Sequence, residues 1–65
     1  MNQDQIKGRW TEVKGKVKEQ WGKLTDNDLL EIEGDHDQLI GRVQRRYGIA
    51  KEEAEKQVRE FMSRH

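Results

Sequence analysis

The spacing of the apolar residues constrains this chain more than any other feature. After Ile6 they recur as Trp10, Val13, Val17, Trp21 and Leu24, in steps of 4, 3, 4, 4 and 3. At 100° per residue these side chains fall within an arc of about 80°, which makes one amphipathic helix and excludes the two-residue alternation of a half-buried strand. The helix is predicted over residues 3–21, with Gly22 in the left-handed position that commonly follows a helix. Thr25 then stands three residues before Asp28, a helix-start spacing with acids in the first turn. A short second helix carrying Leu29, Leu30 and Ile32 follows and ends at Gly34. Asp35, with Gln38 three residues later, repeats the start signal for a third helix whose stripe is Leu39, Ile40, Val43 and Tyr47 and whose stop is Gly48. The last helix, roughly 51–62, is predicted to bury Ala54, Val58, Phe61 and Met62. Its outer face sets Glu52–Lys56, Glu55–Arg59 and Glu60–Arg64 at i,i+4 with the acid first, pairs worth about 0.2–0.5 kcal/mol each. The fold class expected is all-α, a four-helix domain.

The chain also repeats itself at an offset of 26 residues. Residues 8–22 and 34–48 share Gly, six residues, Gly-basic-Val, three residues, aromatic-Gly, and each copy is followed by a second helix. The expectation is one domain, 1–65, built from two helical hairpins, 1–33 and 34–65, with pseudo-two-fold symmetry. Each hairpin is too small to bury its own apolar face, so one packs across the other. Trp10, Val13, Val17, Trp21, Leu29, Ile32, Leu39, Val43, Tyr47, Val58 and Phe61 are the expected core. Gly8, Gly15 and Gly41 fall inside helices, where each costs about 1 kcal/mol relative to alanine. They lie opposite the apolar stripes. They form either a flat strip for a partner backbone or a device for a loosely stable helix, and the second is favoured because nothing apolar accompanies them.

Composition limits the possible functions. A chain of 65 residues holds one small domain and excludes a multidomain cofactor enzyme. Leu, Ile, Val and Phe total 13, close to the composition of disordered chains, so stability is expected to be marginal. The absence of cysteine removes disulfide staples and thiolate metal sites. No apolar run approaches the roughly 20 residues of a membrane span and the first residues lack a signal-peptide core, which leads to the expectation of a cytoplasmic protein. Thirteen basic and thirteen acidic residues cancel, but in blocks: net +3 over 1–24, −6 over 25–37 and +3 over 38–65.

Asp35-His36-Asp37 is ligand-like, but neighbours on a helix point about 100° apart, and Asp35 is better placed as a cap. No nucleophile–base set or Gly-rich phosphate loop is present, so no catalytic, cofactor or metal residue is assigned. Basic side chains offer a rival. Lys14, Lys16 and Lys18 on the first helix and Arg42, Arg45 and Arg46 on the third are candidate interaction residues for nucleic acid or protein. Against that stand zero net charge and the acidic helix between them, which phosphate would repel. Membrane-surface binding by the first helix competes with the core for the same stripe.

The run Lys14-Gly-Lys-Val-Lys-Glu-Gln-Trp-Gly-Lys-Leu-Thr-Asp26, with the 34–48 segment and Ala54-Glu-Lys-Gln-Val58, resembles the CsbD-like (UPF0337) family of small bacterial stress proteins over nearly the whole chain. The resemblance implies a helical domain of two packed hairpins, a cytoplasmic location and abundance under general stress. It implies no catalytic residues, since the family has no established activity. CsbD-like chains are often shorter and richer in glycine and alanine; the tryptophans and final helix here imply more order. The function expected is a non-enzymatic, monomeric stress-response protein, a hydrated protectant, with the adaptor built on the six basic residues as the alternative. Gly15, Gly41, Trp10, Trp21, Tyr47 and Phe61 are expected to act structurally.

Overall fold

The structure, a computed structural model, describes residues 8–64. Among the described residues four helices follow one another: α1 Trp10–Gln20, α2 Asp26–Ile32, α3 His36–Tyr47 and α4 Lys51–Arg64. No strand occurs among the described residues. Ile6, Lys7 and the predicted start of the first helix lie outside them, as does His65. The longest packed pair is α3 against α4, followed by α2 against α3.

Local chemistry explains the boundaries. At α2 the Thr25 hydroxyl accepts from the Asp28 N–H at 3.1 Å while Asp28 Oδ2 accepts from the Thr25 N–H at 2.9 Å, a reciprocal box satisfying two otherwise orphaned donors. At α3 only half of that arrangement forms: Asp35 Oδ1 accepts from Gln38 N–H at 3.0 Å, and the Asp35 N–H is taken by the Ile32 carbonyl at 2.8 Å. At the start of α1, Arg9 makes no side-chain cap bond.

Two helix ends differ in kind from one another. Gly48 ends α3 at φ 61°, as expected of a left-handed glycine. Gly22 does not play that part: Trp21 ends α1 at φ −123° and ψ 81°, turning the chain so that Trp21 and Leu24 both enter the core. The left-handed turn after α2 starts one residue before the glycine, with Glu33 at φ 48° and Gly34 at φ 81°. Glu33 in that region costs roughly 1 kcal/mol.

One core joins all four helices. Val13 and Val17 enter from α1, Trp21 and Leu24 from the turn, and Leu29 and Ile32 from α2. Leu39, Ile40 and Val43 of α3 meet Ala54, Val58, Phe61 and Met62 of α4. Trp21 is 2% exposed, lies 5.1 Å from Phe61 between ring centroids and donates its indole N–H to Gln57 Oε1 at 3.0 Å. Two expected core members are displaced outward: Trp10 and Tyr47 are half-buried and pack against the core from its rim. Tyr47 has polar work there, since its hydroxyl accepts from the Lys23 N–H at 3.1 Å and the Lys23 ammonium lies 5.1 Å from its ring centre. Leu30, carried on α2 but not among the expected core residues, is 68% exposed, because burying Leu29 turns its neighbour by about 100° to the outside.

The predicted ion pairs of α4 do not close within 4.0 Å among the described residues; Gln57 instead donates to Glu53 at 3.0 Å. Exposed i,i+4 pairs gain too little to hold two long side chains in one geometry.

A Cβ placed on Gly15 or Gly41 would meet no heavy atom within 4 Å. Gly15→Ala and Gly41→Ala are therefore expected to stabilise the domain by about 0.5–1 kcal/mol each. Thermal melts at low concentration should rise by roughly 4 °C or more per substitution; a fall would show that something occupies that space in the folded protein.

Candidate functional site

The basic residues read as an interaction face are divided by the fold among different surroundings. Asp28, third residue of α2, is fully buried, with no exposed surface. Arg42 and Arg46 lie four residues apart on α3, on the face turned to α2, and both reach it. Arg46 grips the carboxylate with two bonds, Nε to Oδ2 at 2.8 Å and Nη2 to Oδ1 at 2.9 Å. Arg42 Nη1 donates to Oδ1 at 2.8 Å, and its Nη2 pairs with Glu31. With the Thr25 N–H, Asp28 accepts four hydrogen bonds, three of them from guanidinium groups.

This environment holds the Asp28 carboxyl far below the usual carboxylate range, chiefly through the Arg46 bonds, against the opposing effect of burial and helped by Thr25 and Arg42. The arginines answer in kind. Arg42 is raised mainly by Glu31, and Arg46 mainly by Asp28. Buried charge sets of this sort are weak evidence for net stability, and Arg42 Nε is buried without a partner among the described residues. Their breakage is another matter, because an orphaned charge cannot recover its hydration.

Arg45 remains exposed beside Arg42 and Arg46 at a shallow depression. Lys18 pairs with Asp26 at 3.2 Å and donates to the Leu24 carbonyl at 3.2 Å, closing the end of α1. Lys14 and Lys16 are exposed, but they line different hollows: Lys16 stands beside Glu19 and Gln20, and Lys14 borders a groove between α1 and α2. Three of the six candidates, Lys18, Arg42 and Arg46, are thus engaged within the molecule. Trp21 and Phe61 stack in the core and Trp10 and Tyr47 pack on its rim.

His36 is half-buried, with Nδ1 3.9 Å from Asp37. Among the described residues no three His, Cys, Asp or Glu side chains gather to hold a metal ion, and no helix is long and apolar enough to cross a membrane.

The model of the CsbD-like family matches residues 4–56. This chain belongs to the CsbD-like family. Among its relatives, a UPF0337 protein of Pectobacterium atrosepticum is 60% identical over 65 residues, covering all of this chain and 94% of the relative. A UPF0337 protein of Protochlamydia amoebophila is 55% identical, covering all of this chain and 98% of the relative. The UPF0337 protein YjbJ of Escherichia coli is 55% identical with 94% of its length covered. The resemblance carried by the Lys14–Asp26 run and the 34–48 segment is thereby established along the whole chain. Within this CsbD-like domain the Asp28 cluster escaped the sequence reading, since Asp28 stands where an exposed capping acid would stand. Its only advance signal was the pair of arginines four residues apart on α3, facing an acidic helix.

Proposed function

We propose that this CsbD-like protein is a non-enzymatic, cytoplasmic stress-response protein that protects other macromolecules through weak contacts of a hydrated, charge-rich surface. The reading treats 1–65 as one domain of two related hairpins; the starts of α1 at Trp10 and α3 at His36, separated by the repeat offset of 26, support it. The observation that carries the proposal is the division of charge. The cations best suited to grip one ligand, Arg42 and Arg46, are directed at Asp28, while the exposed residues that remain carry charges of both signs. A surface of that kind holds water and discourages tight association.

The test is a heat- or drying-labile enzyme stressed with increasing amounts of this protein. Retained activity should rise with its concentration and exceed that given by an equal mass of an unrelated small globular protein. Equal or no protection refutes the proposal.

A second reading, an adaptor for nucleic acid or protein through Lys14, Lys16, Lys18, Arg42, Arg45 and Arg46, has one observation in its favour: the three arginines share a depression. Titration with duplex and single-stranded nucleic acid at low salt decides it. Resonance shifts centred on Arg45 support the adaptor, and their absence removes it.

A further inference from the structure

Among the described residues, Leu30 is the large apolar side chain that the fold leaves outside, at 68% exposure. With Leu29 and Trp10 it lines a groove of about 460 Å³ between α1 and α2. Gly15 opens the α1 side of this groove, with nothing within 4 Å of where its Cβ would be. The interior glycine is therefore accompanied by apolar surface after all, supplied by the next helix rather than by its own. The charges on the two walls are of opposite sign. Lys18 and Asp26 already pair across it at 3.2 Å, while Lys14 on α1 and Glu33 after α2 have no ion-pair partner among the described residues.

We infer that this groove is the docking surface for a second copy of the same chain, related by a two-fold axis. A two-fold contact joins one patch to itself, so each residue must meet a complement drawn from the same patch. This patch supplies both halves of each pair. Leu30 of one copy is the apolar knob and the Trp10–Gly15 groove of the other is the hole. Lys14 of one copy faces Glu33 of the other, and the symmetry repeats the pair. Gly15 lets the incoming side chain approach the α1 backbone. A helix face carrying lysines alone would repel its own copy; charges of both signs on opposite walls make self-association the partner chemistry this surface fits best. The monomer expected from the sequence becomes a monomer in weak equilibrium with a dimer. The whole described surface is only 4299 Å², and a standard interface takes roughly 800 Å² per partner, so a dimer built on this one groove is expected to be weak. The inference does not depend on the protectant reading.

Sedimentation of the full chain from about 10 μM to about 1 mM tests it, concentrations at which a weak dimer becomes populated. The parent should shift from monomer towards dimer. Leu30→Gln and Gly15→Gln, both compatible with the folded monomer because neither position is enclosed, should weaken the dimer about tenfold or more. Lys14→Glu and Glu33→Lys should each abolish it by placing like charges together. Mixing those two single variants should restore a dimer containing one of each, as should combining both changes in one chain. Circular dichroism of every variant should match the parent. A chain that stays monomeric throughout, a dimer indifferent to Leu30→Gln, or single variants that fail to pair on mixing overturns the inference. A partner of another class bound at the groove while the chain remains monomeric overturns it equally.

Discussion

Trp21→Ala is expected to leave a chain without a cooperative melt at room temperature. The indole is the largest fully buried side chain, and its removal opens a cavity where α1 turns into the core. Loss of a buried tryptophan costs about 3–5 kcal/mol, and a core in a domain of this size rarely supplies more than that in total. Two specific losses accompany the cavity. Phe61 loses the ring packed at 52° to its own, and Gln57 Oε1 loses its donor. Trp21→Phe separates these effects, since it keeps most of the volume and removes the N–H; it should cost about 1–2 kcal/mol and preserve folding. Far-UV circular dichroism with thermal melts measures both. A Trp21→Ala protein with its helical signal and melting temperature intact would contradict the placement of the indole.

Asp28→Asn should be nearly as damaging for an electrostatic reason. The amide keeps the shape of the carboxylate but removes its charge, leaving Arg42, whose side chain is 18% exposed, with Glu31 alone and Arg46 without its acid. Because Arg46 is 45% exposed and Arg42 keeps Glu31, the cost is expected at about 2–3 kcal/mol, below that of breaking a fully buried pair. The pH dependence isolates this contribution. Asp28 in the folded protein titrates below its unfolded value near 4, so its stabilisation is complete above that value. It is lost progressively as pH falls towards the lowered folded value. The parent should therefore lose melting temperature below about pH 4 more steeply than Asp28→Asn, and the gap between the two should narrow in acid. Parallel curves would show that the carboxylate carries no special stability.

Helices and caps were legible because their causes are local. The Thr25–Asp28 spacing, the Asp35 cap and the apolar steps of each stripe depend on neighbours within one or two turns. The Asp28 cluster depends on residues 14 and 18 positions further along, brought in only when α3 docks on α2. Nothing in the spacing of Arg42 and Arg46 distinguishes a buried clamp from a solvated basic face, and the basic face was the expectation. The choice between Leu29 and Leu30 is decided by the same docking, because adjacent residues on a seven-residue helix compete for one inward direction. Gly22 misled for a different reason. A glycine after a helix suits a left-handed stop, but burying both Trp21 and Leu24 demands an extended exit, and packing overrode local preference.

Asp28 Oδ2 accepts from Thr25 N–H and from Arg46 Nε at once. One oxygen therefore takes part both in the start of α2 and in its attachment to α3, alongside the Oδ1 bonds to Arg42 and Arg46. At the other extreme, Arg9 gives α1 no cap, and α1 makes neither of the two strongest helix–helix packings. This unequal anchoring gives the molecule a direction of opening. Hydrogen exchange should proceed through partial release of α1 at its Arg9 end, well below the free energy of full unfolding, while amides of α2 and α3 exchange together only when the whole structure is lost. The Arg9 end of α1 is thus the expected first point of opening.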